Sequence, residues 1–341
     1  MPWGWCASRR CPMGEARILS RYRSEIVAAL TRTLAGEGAL FRLLRYPMGL
    51  EEPDGTPGPG IGGKLLRPAL VCFSYEALAG ELEKALPLAC ALELVHNFSL
   101  VHDDIQDEDE LRRGRPTAWK AFGIAQAINA GDGLLVLALR TALEAEDGLP
   151  PETVLAAHQA LLAATFRMIE GQVLDLSLEG RNAGVAEYLR MAREKTGALL
   201  GCALELGAIA AGKEEPRGRL RELGETLGLA FQIRDDWIGI WGDPRATGKP
   251  VGSDLSRRKR SFPVAFALER DPALAELLSR DPVPVEEVLR RLEAAGAAEA
   301  TRRETERYAA EAKRIAAGLP WEPWAHEAFG ELLSFLVKRE A

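Results

Sequence analysis

Helical periodicity runs through almost all of this 341-residue chain. In residues 15–34, apolar side chains such as Ile18, Tyr22 and Ile26 recur every three or four positions, which is the spacing of one face of an α-helix. The alternating β-branched pattern of strands is absent, and Ala, Leu, Glu and Arg dominate the sequence. The pattern therefore predicts an all-α protein.

The helices that this periodicity predicts follow one another closely along the chain. They are expected over residues 15–34, 64–78, 83–107, 117–130, 131–146, 153–179, 185–196, 197–211 and 218–241, with shorter helices from 263 onward. Several are apolar nearly all round, which is typical of helices buried in the middle of a bundle. No break in composition and no repeat divides the chain, so residues 13–341 are expected to form one domain. Residues 1–12 are set aside as an N-terminal extension or a mis-assigned start.

Charge and cysteine content exclude some classes of protein. The formal net charge of −7 argues against nucleic acid as a partner, because a phosphate backbone needs a basic face. The five cysteines are odd in number and dispersed, which is typical of reduced thiols in a cytoplasmic protein. No apolar run reaches the length of about 18 residues that a transmembrane helix needs.

An acidic cluster interrupts the apolar helix predicted over 83–107. The segment HDDIQDEDELRRGRPT places Asp103 and Asp107 four residues apart, so they share one helical face, with Asp104 beside them. A charge run is usually a solvated surface. Here the run follows a strongly apolar stretch and should emerge from the core. Two carboxylates on one face repel unless a cation lies between them, and Mg²⁺ binds through one or two carboxylates, with water and phosphate oxygens completing its shell.

A second acidic pair has the same setting. In FQIRDDWIGIWGD, Asp235 and Asp236 also follow an apolar stretch, about 130 residues after the first cluster. Cationic residues accompany both clusters, among them Lys64, Arg67 and Lys195. Each alone would be an ordinary surface cation. Together with carboxylates that hold Mg²⁺, these side chains predict a site for diphosphates.

At this point the sequence resembles the trans-isoprenyl diphosphate synthase (polyprenyl synthetase) family, which includes farnesyl and geranylgeranyl diphosphate synthases. The resemblance covers roughly residues 15–340 and rests on the motifs GGKLLRP, LVHNFSLVHDDIQDEDELRRGRPT, GQVLDL, KTGALL, FQIRDDWIG and GDPRATGKPVGSDLSRRKRSFP. It implies a single isoprenoid synthase-type bundle with a central active-site cavity, a homodimer, and about three Mg²⁺ ions per active site. The implied activity is head-to-tail (1′-4) condensation of isopentenyl diphosphate with an allylic diphosphate, which makes the chain a Mg²⁺-dependent prenyltransferase.

The resemblance also implies roles for individual residues. Asp103 and Asp107 would hold two Mg²⁺ ions with support from Asp104, and Asp235 would hold the third with Asp236 nearby. The allylic diphosphate would be contacted by Arg112, Lys195, Lys249 and Lys259. The diphosphate of isopentenyl diphosphate would be bound by Lys64, Arg67, His96 and Arg113. The reacting centre would be lined by Thr196 and Gln232.

Two further inferences follow from the motifs. The family's second acidic motif usually reads DDxxD, but this chain has Gly239 in the last position. Because Asp235 is the expected direct ligand, metal binding is expected to survive this change. Asp243 would share the helical face of Gly239 if the helix continues. Product length should be set by a floor near Phe98, Ser99 and Leu94, about one helical turn or more on the core side of Asp103. By resemblance, an aromatic residue at this place goes best with a C20 product, and C15 is the runner-up.

Two other functions stay open at this stage. A class I terpene cyclase also uses a DDxxD cluster, but it ionises a single substrate and has no use for the GGKLLRP segment or for paired Arg112 and Arg113. A catalytically silent subunit of a prenyl synthase would be expected to lose aspartates of the first cluster, and this chain keeps them.

Overall fold

A computed structural model of the chain describes residues 16–79, 82–178, 181–243 and 251–338. The predicted extension at residues 1–12 lies outside these ranges. The described α-helices are α1 Arg17–Thr33, α2 Ala39–Arg45, α3 Leu66–Ala79, α4 Leu86–Gln106, α5 Ala118–Phe122, α6 Ile124–Leu143, α7 Pro151–Leu178, α8 Val185–Ala192, α9 Ala198–Ala210, α10 Arg217–Trp241, α11 Ser253–Ser256, α12 Phe262–Leu268, α13 Leu274–Ser279, α14 Val285–Ala294, α15 Ala297–Ala317 and α16 Pro323–Lys338. Short 3₁₀ turns occupy Leu82–Ala85 and Glu144–Asp147, and a π-helical segment spans Arg193–Gly197.

The predicted all-α class is confirmed, with two local differences. Leu111–Arg112 (β1) and Arg115–Pro116 (β2) pair antiparallel, so the basic end of the first motif forms a small hairpin. The predicted helix boundary between residues 130 and 131 is wrong, because α6 runs unbroken from Ile124. The break lies instead at Gly123, whose φ of 83° suits glycine and ends α5.

The centre of the bundle is α9. Every residue from Ala198 to Ala210 is buried, and all of them are apolar or small except Glu205, which pairs with Arg217 at 2.7 Å. Around it pack α3, α7 and α10, while α4 lies against α3 and α6. A large continuous core joins these helices, and two smaller clusters lie beneath α8 and α12–α15. No helix among the described residues is both long enough and apolar enough to cross a bilayer.

Close contact between α9 and α10 depends on glycine. A Cβ atom at Gly224 would lie 2.6 Å from the carbonyl carbon of Leu200 and from Cα of Gly201. Backbone atoms cannot move aside as a flexible side chain can, so the two helices approach this closely only because Gly224 has no side chain. This contact brings the residues that follow on α10 next to the π segment that precedes α9.

We therefore expect Gly224→Ala to lower the free energy of unfolding by about 1–3 kcal/mol, the usual cost of forcing extra atoms into a packed core. Urea denaturation followed by circular dichroism measures it. Gly330→Ala is the matched control, because Gly330 also lies within a helix but has no atom within 4 Å of its Cβ position. That control should leave stability unchanged or raise it slightly. Equal effects of the two changes would contradict the account.

Candidate active site

A polar cavity of about 900 Å³ opens between α4, α7, the π segment and α10. Its lining includes Arg67, His96, Ser99, Leu100, Asp103, Gln106, Asp107, Glu108, Asp109, Arg112, Met168, Asp175, Lys195, Thr196, Leu199, Phe231, Gln232, Asp235, Ile238, Gly239, Gly242, Asp254, Arg257, Lys259 and Arg260. Most of the residues that the sequence singled out are thus brought together at one place.

The first acidic cluster enters the cavity where α4 ends. Asp103 lies in the last turn of the helix, and Asp107 is its C-cap residue, so both carboxylates face the cavity from one side. Asp104 points elsewhere. It is 4% exposed, accepts a hydrogen bond from Nε of Arg112 at 2.7 Å, and forms an ion pair with Nη2 of the same residue at 2.6 Å. Asp104 is not among the residues that line the cavity, and it holds Arg112, which is one of them.

Burial makes these carboxylates costly to ionise. It raises the pKa of Asp103 to about 6, and the Asp107 carboxylate adds to the rise, although Lys195 acts in the opposite direction. Burial is also the main cause of the raised pKa of Asp107. The protein's own cations therefore leave the pair short of positive charge, which is the setting that favours binding of an added cation.

Lys195 and Thr196 reach the cavity from the π-helical segment. Nζ of Lys195 lies 2.6 Å from Asp175 and 3.9 Å from Asp103. Thr196 donates a hydrogen bond from Oγ1 to Oε1 of Gln232 at 2.7 Å. A π turn inserts one extra residue into a helix and is frequent at functional sites. Here it carries two consecutive residues whose side chains both line the cavity.

The π segment is fixed from two sides. A Cβ at Gly171 on α7 would lie 2.5 Å from Cα of Lys195, so glycine is needed for this close approach. Arg167 bridges Glu194 in the segment and Glu225 on α10, with one 2.6 Å hydrogen bond to each. Arg167 thus ties three helical elements together directly behind Lys195.

Asp175 is a cavity residue that was not assigned from the sequence. It belongs to the GQVLDL segment of α7, pairs with Lys195 and lines the cavity. One feature of the sequence points to Asp175: it is the only acid of GQVLDL, and it lies four residues after Gly171, on the same helical face as that glycine. Asp175 stands out from the other acids only once the Gly171 face of α7 is seen to pack against the π segment.

The second acidic cluster lies on α10. Asp235 lines the cavity, as the sequence predicted, whereas Asp236 is fully buried behind it. Asp236 accepts hydrogen bonds from the backbone N–H of Phe262 at 2.8 Å and from Gln232 at 3.0 Å. Burial raises its pKa to about 6. Asp236 thus anchors Gln232 and the start of α12, and it is not among the residues that line the cavity.

Lys259 brings positive charge to the same side. Its Nζ lies 3.6 Å from Asp254 and 3.8 Å from Asp236, and it lines the cavity. Burial acts to lower the pKa of Lys259, but Asp254 and Asp236 raise it above its usual value, so the side chain stays charged. Lys249, the other predicted cation of this loop, lies outside the described residues.

A second group of basic side chains lies toward α3 and the hairpin. Arg67 and His96 line the cavity together. Burial and the nearby Arg67, Arg113 and Arg112 guanidinium groups hold the pKa of His96 well below its usual value, so its ring is neutral. Lys64 lies over the Phe335 ring, 5.7 Å from its centroid. Lys64 and Arg113 are not among the cavity-lining residues. The guanidinium of Arg113 nevertheless lies close to the residue before Lys64, because a Cβ on that residue, Gly63, would be 2.7 Å from Nη2 of Arg113.

The three residues predicted to limit product length have different surroundings. Ser99 lines the cavity, together with Met168 from α7. Phe98 is 7% exposed and packs edge-on against His102, with ring centroids 5.0 Å apart. Leu94 is fully buried. Phe98 and Leu94 are thus buried on the helix that carries Ser99, and neither is among the residues that line the cavity.

The donor set fits Mg²⁺. Asp103, Asp107 and Asp235 offer only carboxylate oxygens, the ligands that this hard cation prefers. Among the described residues, no group of three His, Cys, Asp or Glu side chains converges closely enough to enclose a metal. Incomplete protein coordination is what Mg²⁺ sites in phosphate-using enzymes usually show, since water and phosphate fill the remaining positions.

The fold and the cavity define an all-α enzyme that handles anionic substrates. A model of the family described as polyprenyl synthetase matches residues 59–294. Geranylgeranyl diphosphate synthase of Mycobacterium tuberculosis is 42% identical over 270 residues, covering 78% of this chain and 76% of that protein. A (2E,6E)-farnesyl diphosphate synthase of Mycobacterium bovis is 43% identical over 228 residues, covering 66% and 62%.

Known structures agree with these sequence matches. The polyprenyl synthetase of Streptomyces coelicolor superposes with a TM-score of 0.87 at 38% identity, covering 94% of this chain and 98% of that one. The chain belongs to the polyprenyl synthetase family, and like the members of that family it is a prenyltransferase. This assignment decides against the terpene cyclase that the acidic motif alone had left open.

The raised pKa of Asp103 predicts a trade between stability and activity. In metal-free buffer at pH 8, Asp103→Asn should raise the free energy of unfolding by roughly 1–3 kcal/mol, since it removes a buried charge. Because the folded-state pKa is above the unfolded one, the parental protein regains this stability as the pH falls through about 6, and the difference should then shrink. Turnover should be lost at every pH.

Denaturant titrations at pH 5 and pH 8, with chelator present, measure this difference. Asp147→Asn is the control, because Asp147 is exposed and should show no such dependence on pH. An Asp103→Asn protein that is less stable than the parent at pH 8 would contradict the electrostatic account.

Proposed function

We propose that this protein condenses isopentenyl diphosphate with allylic diphosphates to give a short-chain all-trans prenyl diphosphate, with geranylgeranyl diphosphate (C20) as the main product. The observation that carries the proposal is the placement of Asp103 and Asp107 on α4 and Asp235 on α10 in one cavity, with cations on both sides. The names of the two mycobacterial relatives support the substrate class, and they include both C20 and C15 synthases.

The cavity offers two places for a diphosphate. Near the acidic clusters, Arg112, Lys195 and Lys259 can contact an allylic diphosphate, and Mg²⁺ held by the three aspartates would neutralise it and make it a better leaving group. Near α3, Arg67 and neutral His96 can donate hydrogen bonds to isopentenyl diphosphate. Members of this family are generally Mg²⁺-dependent.

The remaining residues prepare the reaction. Thr196 and Gln232 are hydrogen-bonded to each other in the cavity, where their side-chain oxygens can steady the allylic cation. Apolar Leu199, Met168 and Phe231 line the same cavity and limit the access of water, which would quench the cation. The proton lost in the last step has no convincing side-chain base among these residues, and the departing diphosphate is its proposed acceptor.

Product length provides the first test. Ser99→Phe should fill the cavity one turn from Asp103 and shift products toward C15, with the first condensation largely kept. Phe98→Ala should remove the aromatic ring next to Ser99 in sequence and extend products beyond C20, because the apolar cavity that it leaves stays dry and accepts hydrocarbon. The assay combines purified protein, Mg²⁺, dimethylallyl diphosphate and isopentenyl diphosphate, followed by chromatography of the dephosphorylated products.

Two outcomes of this assay would contradict specific parts of the proposal. A parental protein that makes no product longer than its primer would refute the assigned condensation. Unchanged length in both variants, with stability checked by thermal denaturation, would place the floor elsewhere. In that case Phe98→Ala should still cost roughly 3–5 kcal/mol as an ordinary core residue.

The oligomeric state is proposed from an exposed apolar stripe. On α7 the exposed residues of this stripe are Leu155, Leu162, Phe166, Ile169, Val173 and Leu176. Their spacing of three, four or seven residues places them on one helical face. The neighbouring α6 adds exposed Ile124, Ile128, Val136 and Leu143. Contiguous apolar surface of this extent is uncommon on a monomer and marks an interface.

A second copy of this chain is the proposed partner. Leu- and Val-rich stripes on adjacent helices can pack against the same stripes around a two-fold axis, which gives a closed dimer. The opposite face of α7 carries Met168 and Asp175 of the cavity, so dimer packing would also hold the cavity wall in place. The buried free thiols of Cys72, Cys90 and Cys202 support a reducing location such as the cytoplasm.

Charge introduced into the stripe tests the dimer. Phe166 and Val173 are 65% and 62% exposed and lie two turns apart, so Phe166→Glu combined with Val173→Glu should bury two unpaired charges in each subunit of the interface. Size-exclusion chromatography with light scattering should then report a monomer. Ala310→Glu, on the exposed face of α15, introduces the same charge elsewhere and should leave the dimer intact. A double variant that stays dimeric would rule out this face.

A further inference from the structure

The second acidic motif lacks a side chain in its last position, and another residue occupies the space. The motif reads Asp235, Asp236, Trp237, Ile238 and Gly239. A Cβ built on Gly239 would lie 2.6 Å from Cγ of Asp254, so the Asp254 carboxylate stands where a side chain at position 239 would begin. Gly239 is four residues after Asp235 and thus on the same face of α10. Both Gly239 and Asp254 line the cavity.

The position of Asp254 is fixed by its own surroundings. It lies in the first turn of α11, is 8% exposed, and its backbone carbonyl accepts a hydrogen bond from the N–H of Lys259 at 3.0 Å. The N–H of Gly252 donates to the carbonyl of Ile240 at 3.0 Å, which ties the start of α11 to the last turns of α10. The carboxylate therefore enters the cavity beside α10 from a separate, anchored segment.

We propose that Asp254 supplies the carboxylate that Gly239 cannot, and that it acts with Asp235 in holding the Mg²⁺ ion on the α10 side of the cavity. This inference rests on the proposed function and adds to it a residue from outside the acidic motif. This role would explain the glycine at position 239, because any side chain there would displace the Asp254 carboxylate. The competing account is that Asp254 only pairs with Lys259, from which it is separated by 3.6 Å.

Binding of inorganic pyrophosphate separates the two accounts without any turnover. Isothermal titration calorimetry measures pyrophosphate affinity over a series of Mg²⁺ concentrations. Asp254→Asn keeps the shape of the side chain and should raise the Mg²⁺ concentration needed for half-maximal binding by about tenfold, with full recovery in excess Mg²⁺. Lys259→Met should instead weaken binding at every Mg²⁺ concentration. If Asp254→Asn behaves as Lys259→Met does, the inference is overturned.

A double-mutant cycle tests the role of Gly239. Gly239→Ala should push the Asp254 carboxylate aside and raise the Mg²⁺ requirement as Asp254→Asn does, and the double variant should be no worse than either single one. Gly218→Ala on the same helix meets no atom within 4 Å and should match the parent. Gly239→Asp should lower the Mg²⁺ requirement of the Asp254→Asn protein toward that of the parent. Additive effects, or a Gly239→Ala protein identical to the parent, would overturn the inference.

The same measurements keep this inference apart from the proposed function. A parental protein that binds pyrophosphate only with Mg²⁺ and makes prenyl diphosphates, beside an Asp254→Asn protein with an unchanged Mg²⁺ requirement, would remove the role of Asp254 alone. A parental protein whose pyrophosphate binding ignores Mg²⁺ would overturn both. Thermal denaturation of each variant verifies folding, and Asp254→Asn, as the isosteric change, carries the test if Gly239→Ala is unstable.

Discussion

Burial of carboxylates is the constraint that organises this molecule. Asp103 and Asp107 end one apolar helix and Asp235 lies near the end of another, so three carboxylates line one cavity inside the bundle. Burial raises the pKa of Asp103 to about 6 even with Lys195 nearby. Without a bound cation, the bundle is less stable than it would be with uncharged residues at these positions. This loss of stability accompanies a site that binds metal and diphosphate together.

Small residues let the helices come close enough for this site to form. Gly224 allows α10 to touch α9, and Gly171 allows α7 to touch the π segment. The π turn then directs Lys195 and Thr196 into one cavity, and Arg167 ties that turn to its neighbours. Backbone packing thus places the reactive side chains, since each of these contacts lies directly behind a residue that lines the cavity.

Two aspartates of the acidic motifs hold other side chains and do not line the cavity themselves. Asp104 holds Arg112, and Asp236 anchors Gln232 together with the start of α12. In both DD pairs, therefore, only one carboxylate faces the cavity. Adjacent residues on a helix point about 100° apart, so a pair cannot present both side chains to one cavity wall. The second carboxylate of each pair is therefore available to hold a neighbouring side chain.

The sequence alone determined the all-α class, most of the principal helices and the two acidic clusters, because helical periodicity and the charge pattern are local properties. It missed α2, and it predicted a break inside α6 that the structure does not have. It also identified Lys195, Thr196 and Gln232, which resemblance to a family placed in the site. Only the tertiary structure decided that Asp175 joins the site and that Asp254 fills the space left by Gly239. Each of these depends on a contact between segments that are distant in sequence. Such contacts are fixed by the packing of whole helices and cannot be read from the residues next to Asp175 or Asp254.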